Sequence, residues 1–129
     1  MFDPEVELGD VLWRTLDVAN GDGAHLSSIL AQMPKLRIVE IFRAYLLART
    51  ELVDRLFVTV RHGGASEDAL DDFADSIVSM GRRAYIATYR GDEPVPPKSA
   101  WRMMTGLIHV FGDVFFDNFG EDIYDYLED

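Results

Sequence analysis

The chain contains no cysteine. That single absence excludes disulfides, thiolate metal ligands and a cysteine nucleophile, so the fold must be held by packing, and a reducing cytoplasm is the expected setting. Long apolar runs are missing as well. Val114-Phe115-Phe116 is bounded by Asp113 and Asp117, far short of the roughly 20 residues that a membrane span requires. The start, Met1-Phe2-Asp3-Pro4-Glu5, has neither the basic residues nor the apolar stretch of a signal peptide. Positive charge is scarce: 12 bases stand against 23 acids, for a net charge of −11. Binding to phosphate backbones or anionic lipid depends on lysine and arginine displacing counterions, so neither nucleic acid nor a membrane is an expected partner.

Catalytic signatures are equally sparse. No GxSxG, GxGxxG or P-loop pattern occurs, and Gly63-Gly64 lacks the lysine of a phosphate-cradling loop. His25, His62 and His109 are dozens of residues apart, so their spacing offers no zinc site. No metal and no cofactor is expected.

What is present belongs to a globular protein. At 129 residues, with 48% apolar and 12% aromatic content, the chain is long enough for one core and one domain. Its apolar residues recur at helical spacing throughout, so an all-α bundle of about five to seven helices is expected over 1–129. Asp3-Pro4 reads as an N-cap followed by proline at the first helical position. Leu8, Val11, Leu12, Leu16 and Ala19 then form a stripe that Asn20-Gly21-Asp22-Gly23 ends. A short helix is expected from about Ala24 to Gln32. From Lys35 to Arg61, Leu36, Val39, Phe42, Leu46, Leu52, Val53, Leu56, Phe57 and Val60 repeat at three and four, with Ile38 and Tyr45 less regular, as one helix or two. Gly63-Gly64 stops this segment, and Ser66 has the character of the next N-cap. Leu70, Phe73, Ile77 and Val78 supply a buried stripe ending near Gly81, and Arg82 to Tyr89 reads as a further helix closed by Gly91.

Residues 92–98 contain three prolines and read as an extended joint within the domain, not a boundary. Beyond it, Trp101, Met104, Ile108, Phe111 and Phe115 mark a last long helix, expected from Trp101 to Phe119. The acidic C-terminal segment 113–129 carries seven acids and no base, interleaved with Phe116, Phe119, Tyr124 and Tyr126. By contrast, Lys35 to Arg61 holds six bases against three acids. Arg37, Arg43, Arg49, Arg55 and Arg61 recur every six residues, about 240° on a helix, so they cannot line one face and are expected to pair locally.

Three groups of residues could carry function. Glu67, Asp68, Asp71, Asp72 and Asp75 include pairs at three and four, close enough to perturb a pKa or share a cation, although a solvated helix face explains them as simply. Asp71, Arg82, Tyr85 and His62 could line a pocket, with Asp71, Arg82 and His62 as weak catalytic candidates. The plainer alternatives are an Asp71–Arg82 ion pair, a core tyrosine and a histidine at a helix C-terminus. Trp101, Asp117, Phe119, Tyr124 and Tyr126 could form a binding strip, because aromatics among carboxylates are hot-spot residue types; a final helix docked on its own core is the competing account. A basic protein partner is expected on grounds of charge complementarity. A homodimer through the stripe of the last helix is a further possibility.

The run Gly63-Gly64-Ala65-Ser66-Glu67-Asp68-Ala69-Leu70-Asp71-Asp72-Phe73, then Ser79, Gly81-Arg82 and Tyr85, resembles the core motif of a bacterial family, domain of unknown function 4240. Ala65, Ala69, Leu70, Ala74 and Ser76 depart from its pattern of cysteine, glycine, aromatic, arginine and tryptophan. The resemblance covers about residues 38–95. It implies an all-helical bacterial domain with no activity to carry over, some of whose relatives sit among candidate immunity proteins. The sequence thus favours a non-enzymatic, regulatory or immunity-like binding domain, with a small enzyme or ligand-binding domain as the alternative.

Overall fold

A computed structural model describes residues 2–4, 7–60, 67–96 and 106–127, without the side chains of 58–60, 67 and 68. Six α-helices are present among these residues: α1 Asp10–Ala19, α2 Gly23–Ala31, α3 Lys35–Val60, α4 Glu67–Ser79, α5 Arg82–Arg90 and α6 Ile108–Phe119. A short 3-10 turn, Ile123–Tyr126, follows α6. The described residues contain no strand, so the chain is an all-α bundle, as its periodicity predicts.

Local chemistry sets most of the helix limits. Asn20, with φ 52°, closes α1 in the left-handed region that asparagine tolerates. Asp22 opens α2, its carboxylate accepting from the N–H groups of Ala24 and His25 at 2.9 and 3.3 Å. Gly91, at φ 81°, closes α5. Two expected limits are wrong. Asp3-Pro4 starts only a single turn, in which Glu7 N–H donates to the Asp3 carbonyl; α1 begins at Asp10, because Gly9 breaks the path with φ 71° and ψ 168°. The last helix does not run from Trp101: Gly106 and Leu107 are non-helical, and α6 starts at Ile108. His62, Gly63, Gly64, Ser66 and Trp101 lie outside the described residues.

α3 is one continuous helix of 26 residues and forms the axis of the bundle. Its core stripe runs through Ile38, Ile41, Phe42, Tyr45, Ala48, Leu52 and Leu56, all buried. Of the positions expected from the spacing, Val39, Phe42, Leu52 and Leu56 are buried. Leu36 is 71% exposed and Phe57 44%, whereas the less regular Ile38 and Tyr45 point inward. α4 and α6 pack along α3, α2 packs on α6, and α1 closes the bundle against α2, α3 and α5. Trp13 of α1 meets Tyr85 of α5 with ring centroids 5.2 Å apart. On the other side, Phe42, Tyr45 and Phe111 cluster at 5.2 Å. Val110, Phe111, Val114 and Phe115 of α6 are all buried within this one chain. Phe111 and Phe115 of the expected stripe are therefore spent on the chain's own core, while Trp101 and Met104 lie outside the described residues.

Candidate functional site

The C-terminal segment is built outward from that core. On α6 the apolar positions face α2 and α3, which leaves His109, Asp113, Phe116 and Asp117 on the opposite, exposed side. Their spacing of four, three and one puts them on a single helix face. Phe116 is 62% exposed. Asp113 and Asp117 form no ion pair among the described residues. Gly120 then ends α6 at φ 67°, and Asp122 caps the 3-10 turn by accepting from Tyr124 N–H at 2.9 Å.

Ile123 is buried beneath that turn and anchors it. Phe119 meets Phe115 at 5.2 Å, and Tyr126 meets Phe115 at 5.3 Å, both edge to face. Tyr124 sets its ring edge against Phe42 at 5.4 Å but remains 53% exposed. The interleaved aromatics therefore split into two sets. Phe119 and Tyr126 dock on the chain itself; Phe116 and much of Tyr124 face solvent, together with exposed Asp113, Asp117 and Asp125.

The segment's acidity is also partly answered from elsewhere in the chain. Lys35, at the start of α3, donates to the Glu121 carboxylate and, at 3.2 Å, to the Tyr126 hydroxyl. Arg43 donates to the Tyr126 carbonyl. The partner ammonium, together with the Tyr126 hydroxyl, holds the Glu121 carboxyl below its ordinary value of 4.5, and the same carboxylate raises Lys35 above 10.5. The arginines of α3 do not all pair locally, as their spacing suggested. Arg37 meets Glu40 at 3.5 Å on the same helix, but Arg43 reaches the C-terminal turn and Arg55 donates to the Tyr89 carbonyl at 3.1 Å.

The other predicted residues do not converge. Asp71 is half-exposed on α4 and Arg82 is exposed at the first position of α5. No ion pair links these two among the described residues. Tyr85 is fully buried, its hydroxyl donating to the Ala48 carbonyl at 2.8 Å, and burial raises its pKa. It is a core residue and offers no surface to a ligand. Arg82 lines an open cleft of about 410 Å³ with Asp17, Arg83 and Asp92, which neither Asp71 nor Tyr85 reaches.

One polar node sits within the acidic set of α4, at a member the sequence does not single out. Asp75 of α4 is buried, accepts from the Tyr45 hydroxyl and the Ile108 N–H, and lies close to Arg49. Tyr45 also accepts from Leu107 N–H at 3.2 Å. α6 has no capping side chain of its own; a carboxylate on another helix satisfies its first turn. Burial raises the Asp75 pKa despite these donors. The node joins three helices and opens onto no described cleft, so its chemistry is structural.

The described residues hold no group of three or more His, Asp or Glu placed to bind a metal ion, and no helix long and apolar enough to cross a membrane. No family model, curated protein or solved structure matches the chain.

Proposed function

We propose that this chain is a non-enzymatic protein-binding domain, regulatory or immunity-like, whose acidic C-terminal face receives a basic protein in a reducing cytoplasm. The observation that carries the reading is the exposed face of α6, where Asp113 and Asp117 lie one turn apart beside Phe116. Among the described residues, no ion pair or ring contact holds those three side chains. Like charges four apart on a helix oppose each other, Asp117 lies in the last turn where the helix dipole disfavours an anion, and Phe116 leaves 62% of its surface in water. Placed against a basic partner, the same residues supply charge complementarity around an aromatic anchor. The alternative, an enzyme or ligand pocket around Asp71, Arg82 and Tyr85, has weaker support, because Tyr85 is inside the core and the residues share no described cleft. Kinship of residues 38–95 with domain of unknown function 4240 is part of the same proposal and adds no activity to it.

Removing residues 113–129 would delete buried Val114, Phe115 and Ile123, so surface substitution is the proper test. Wild type, the triple variant Asp113→Lys, Phe116→Ser, Asp117→Lys, and a control carrying Asp10→Lys and Asp54→Lys serve as baits in native lysate. Basic proteins retained by wild type and control but lost from the triple variant support the reading. Equal recovery by all three baits overturns it.

A further inference from the structure

α3 carries two stripes back to back. One is the buried stripe of the core; the other runs through Leu36, Glu40, Arg43, Leu47, Asp54 and Phe57, all of them exposed. Their steps of four, three, four, seven and three keep them within about 100° of one another, a heptad face along about 32 Å of helix. Leu36 at 71%, Leu47 at 39% and Phe57 at 44% are three of the seven exposed large apolar side chains among the described residues. No other described helix carries more than one.

The apolar order along this face reads nearly the same in both directions, because Leu36 precedes Leu47 by eleven residues and Phe57 follows it by ten. A twofold axis at Leu47 therefore lays the face antiparallel on itself, with Leu47 against Leu47 and Leu36 level with the second copy's Phe57. An open groove of about 560 Å³, lined by Leu36, Val39, Glu40, Arg43 and Tyr126, receives the incoming ring at that end. The charges correspond as well. In this register Arg43 comes level with the second copy's Glu51 and within one turn of its Asp54. A guanidinium has five donors, so Arg43 can serve an acid there as well as the Tyr126 carbonyl. Glu40 comes level with the second copy's Asp54, a like pair, and is answered by Arg37 at 3.5 Å.

We propose that the exposed face of α3 is a homodimer interface, antiparallel about a twofold axis at Leu47. Charge favours a second copy here. The chain as a whole is at −11, yet Lys35 to Arg61 holds six bases against three acids, so this is the element on which two copies approach with least repulsion. The acids of the exposed α6 face lie on a different element, and the dimer does not depend on what that face binds. A single helix seam lies at the small end of specific interfaces, which sets the expected dimerisation in the micromolar range.

Sedimentation velocity of the full chain, at about 0.15 M salt to screen the net charge, is the test. The mass should rise from 14.6 kDa toward twice that value between about 1 and 300 μM. Leu47→Glu and Leu47→Lys each place like charges on the axis, and each alone should need at least about tenfold higher concentration to dimerise. Mixed in equal amounts, the two variants should associate at least as well as wild type. Phe116→Ser, on α6, should associate as wild type does. A mass that stays at 14.6 kDa, association indifferent to the charge at position 47, a mixture no better than its components, or loss of association in Phe116→Ser overturns the proposal. The chain has no cysteine, so Leu47→Cys gives a second reading that needs no new charge. Mild oxidation should join two copies through it and leave Met80→Cys, at a side chain 62% exposed, unlinked; equal linkage of both also overturns the proposal.

Discussion

Tyr45 and Asp75 show how much a single buried pair can decide. The Tyr45 hydroxyl serves the Asp75 carboxylate and the Leu107 N–H together, so Tyr45→Phe takes one donor from a buried carboxylate and leaves a backbone donor without its acceptor at once. The loss should be about 2–3 kcal/mol, against about 1 kcal/mol for Tyr85→Phe, whose hydroxyl serves one neutral carbonyl; urea unfolding of the two variants gives the order. Gly106 is as constrained as the tyrosine. A Cβ there would meet the Asp75 carboxylate at 2.0 Å, and that carboxylate is held by Tyr45 and the start of α6. Gly106→Ala should destabilise by about 1–3 kcal/mol, readable as a lower thermal midpoint, while Gly120→Ala meets no neighbour and bears only the strain of its positive φ. Neither Asp75 nor Tyr45 is legible as a site in the sequence. Asp75 sits among four other acids within nine residues and reads as part of a wet face, because the tyrosine that claims it lies 30 positions away.

Elements are more legible than contacts, for a physical reason. Caps and stripes are local: Asn20 and Gly91 act within one turn of themselves, and the sequence marks both as helix ends, whereas Asp22 reads only as part of the end of α1 and not as the cap of α2. Asp3-Pro4 misled because a cap only licenses a helix, and Gly9 ends the path before the apolar stripe can take it up. The start of α6 carries no local signal, since its cap comes from α4. On α3 the register is legible in Val39, Phe42, Leu52 and Leu56, whereas Leu36 and Phe57 look like core and are not.

The C-terminal 3-10 turn is the element whose attachment should respond to pH. Glu121 has its pKa depressed, so its contribution is present above the ordinary value of 4.5 and is lost as pH falls through the lower folded value. Lys35 has its pKa raised, so its share is intact below 10.5 and is lost only as pH rises through the higher folded value. The turn should stay docked between these limits. The ring resonances of Phe119, which carries no titrating group of its own, should hold constant from about pH 5 to 9 and shift on acidification below that window. Glu121→Gln should remove the acid transition.

Across the whole molecule, charge is distributed against the interest of the fold. The net −11 repels itself, and Asp113 and Asp117 add to that repulsion from one helix face without an ion pair in return among the described residues. Uncharged isosteres at both positions should therefore stabilise the chain. The helix pair and the dipole together predict a gain of about 0.5–1 kcal/mol for Asp113→Asn, Asp117→Asn, a rise in thermal midpoint of about 2–4 °C for a chain of this size. If the two acids serve a basic partner, the same variant should bind hexalysine at least about fivefold more weakly at low salt, because the steering charge is gone. Both differences should shrink as salt is added, since exposed charges are screened within about 10 Å at 0.1 M. A variant that is more stable and equally competent in binding would show that the acids serve neither purpose. A gain in stability matched by a salt-sensitive loss of binding would show why the chain keeps them.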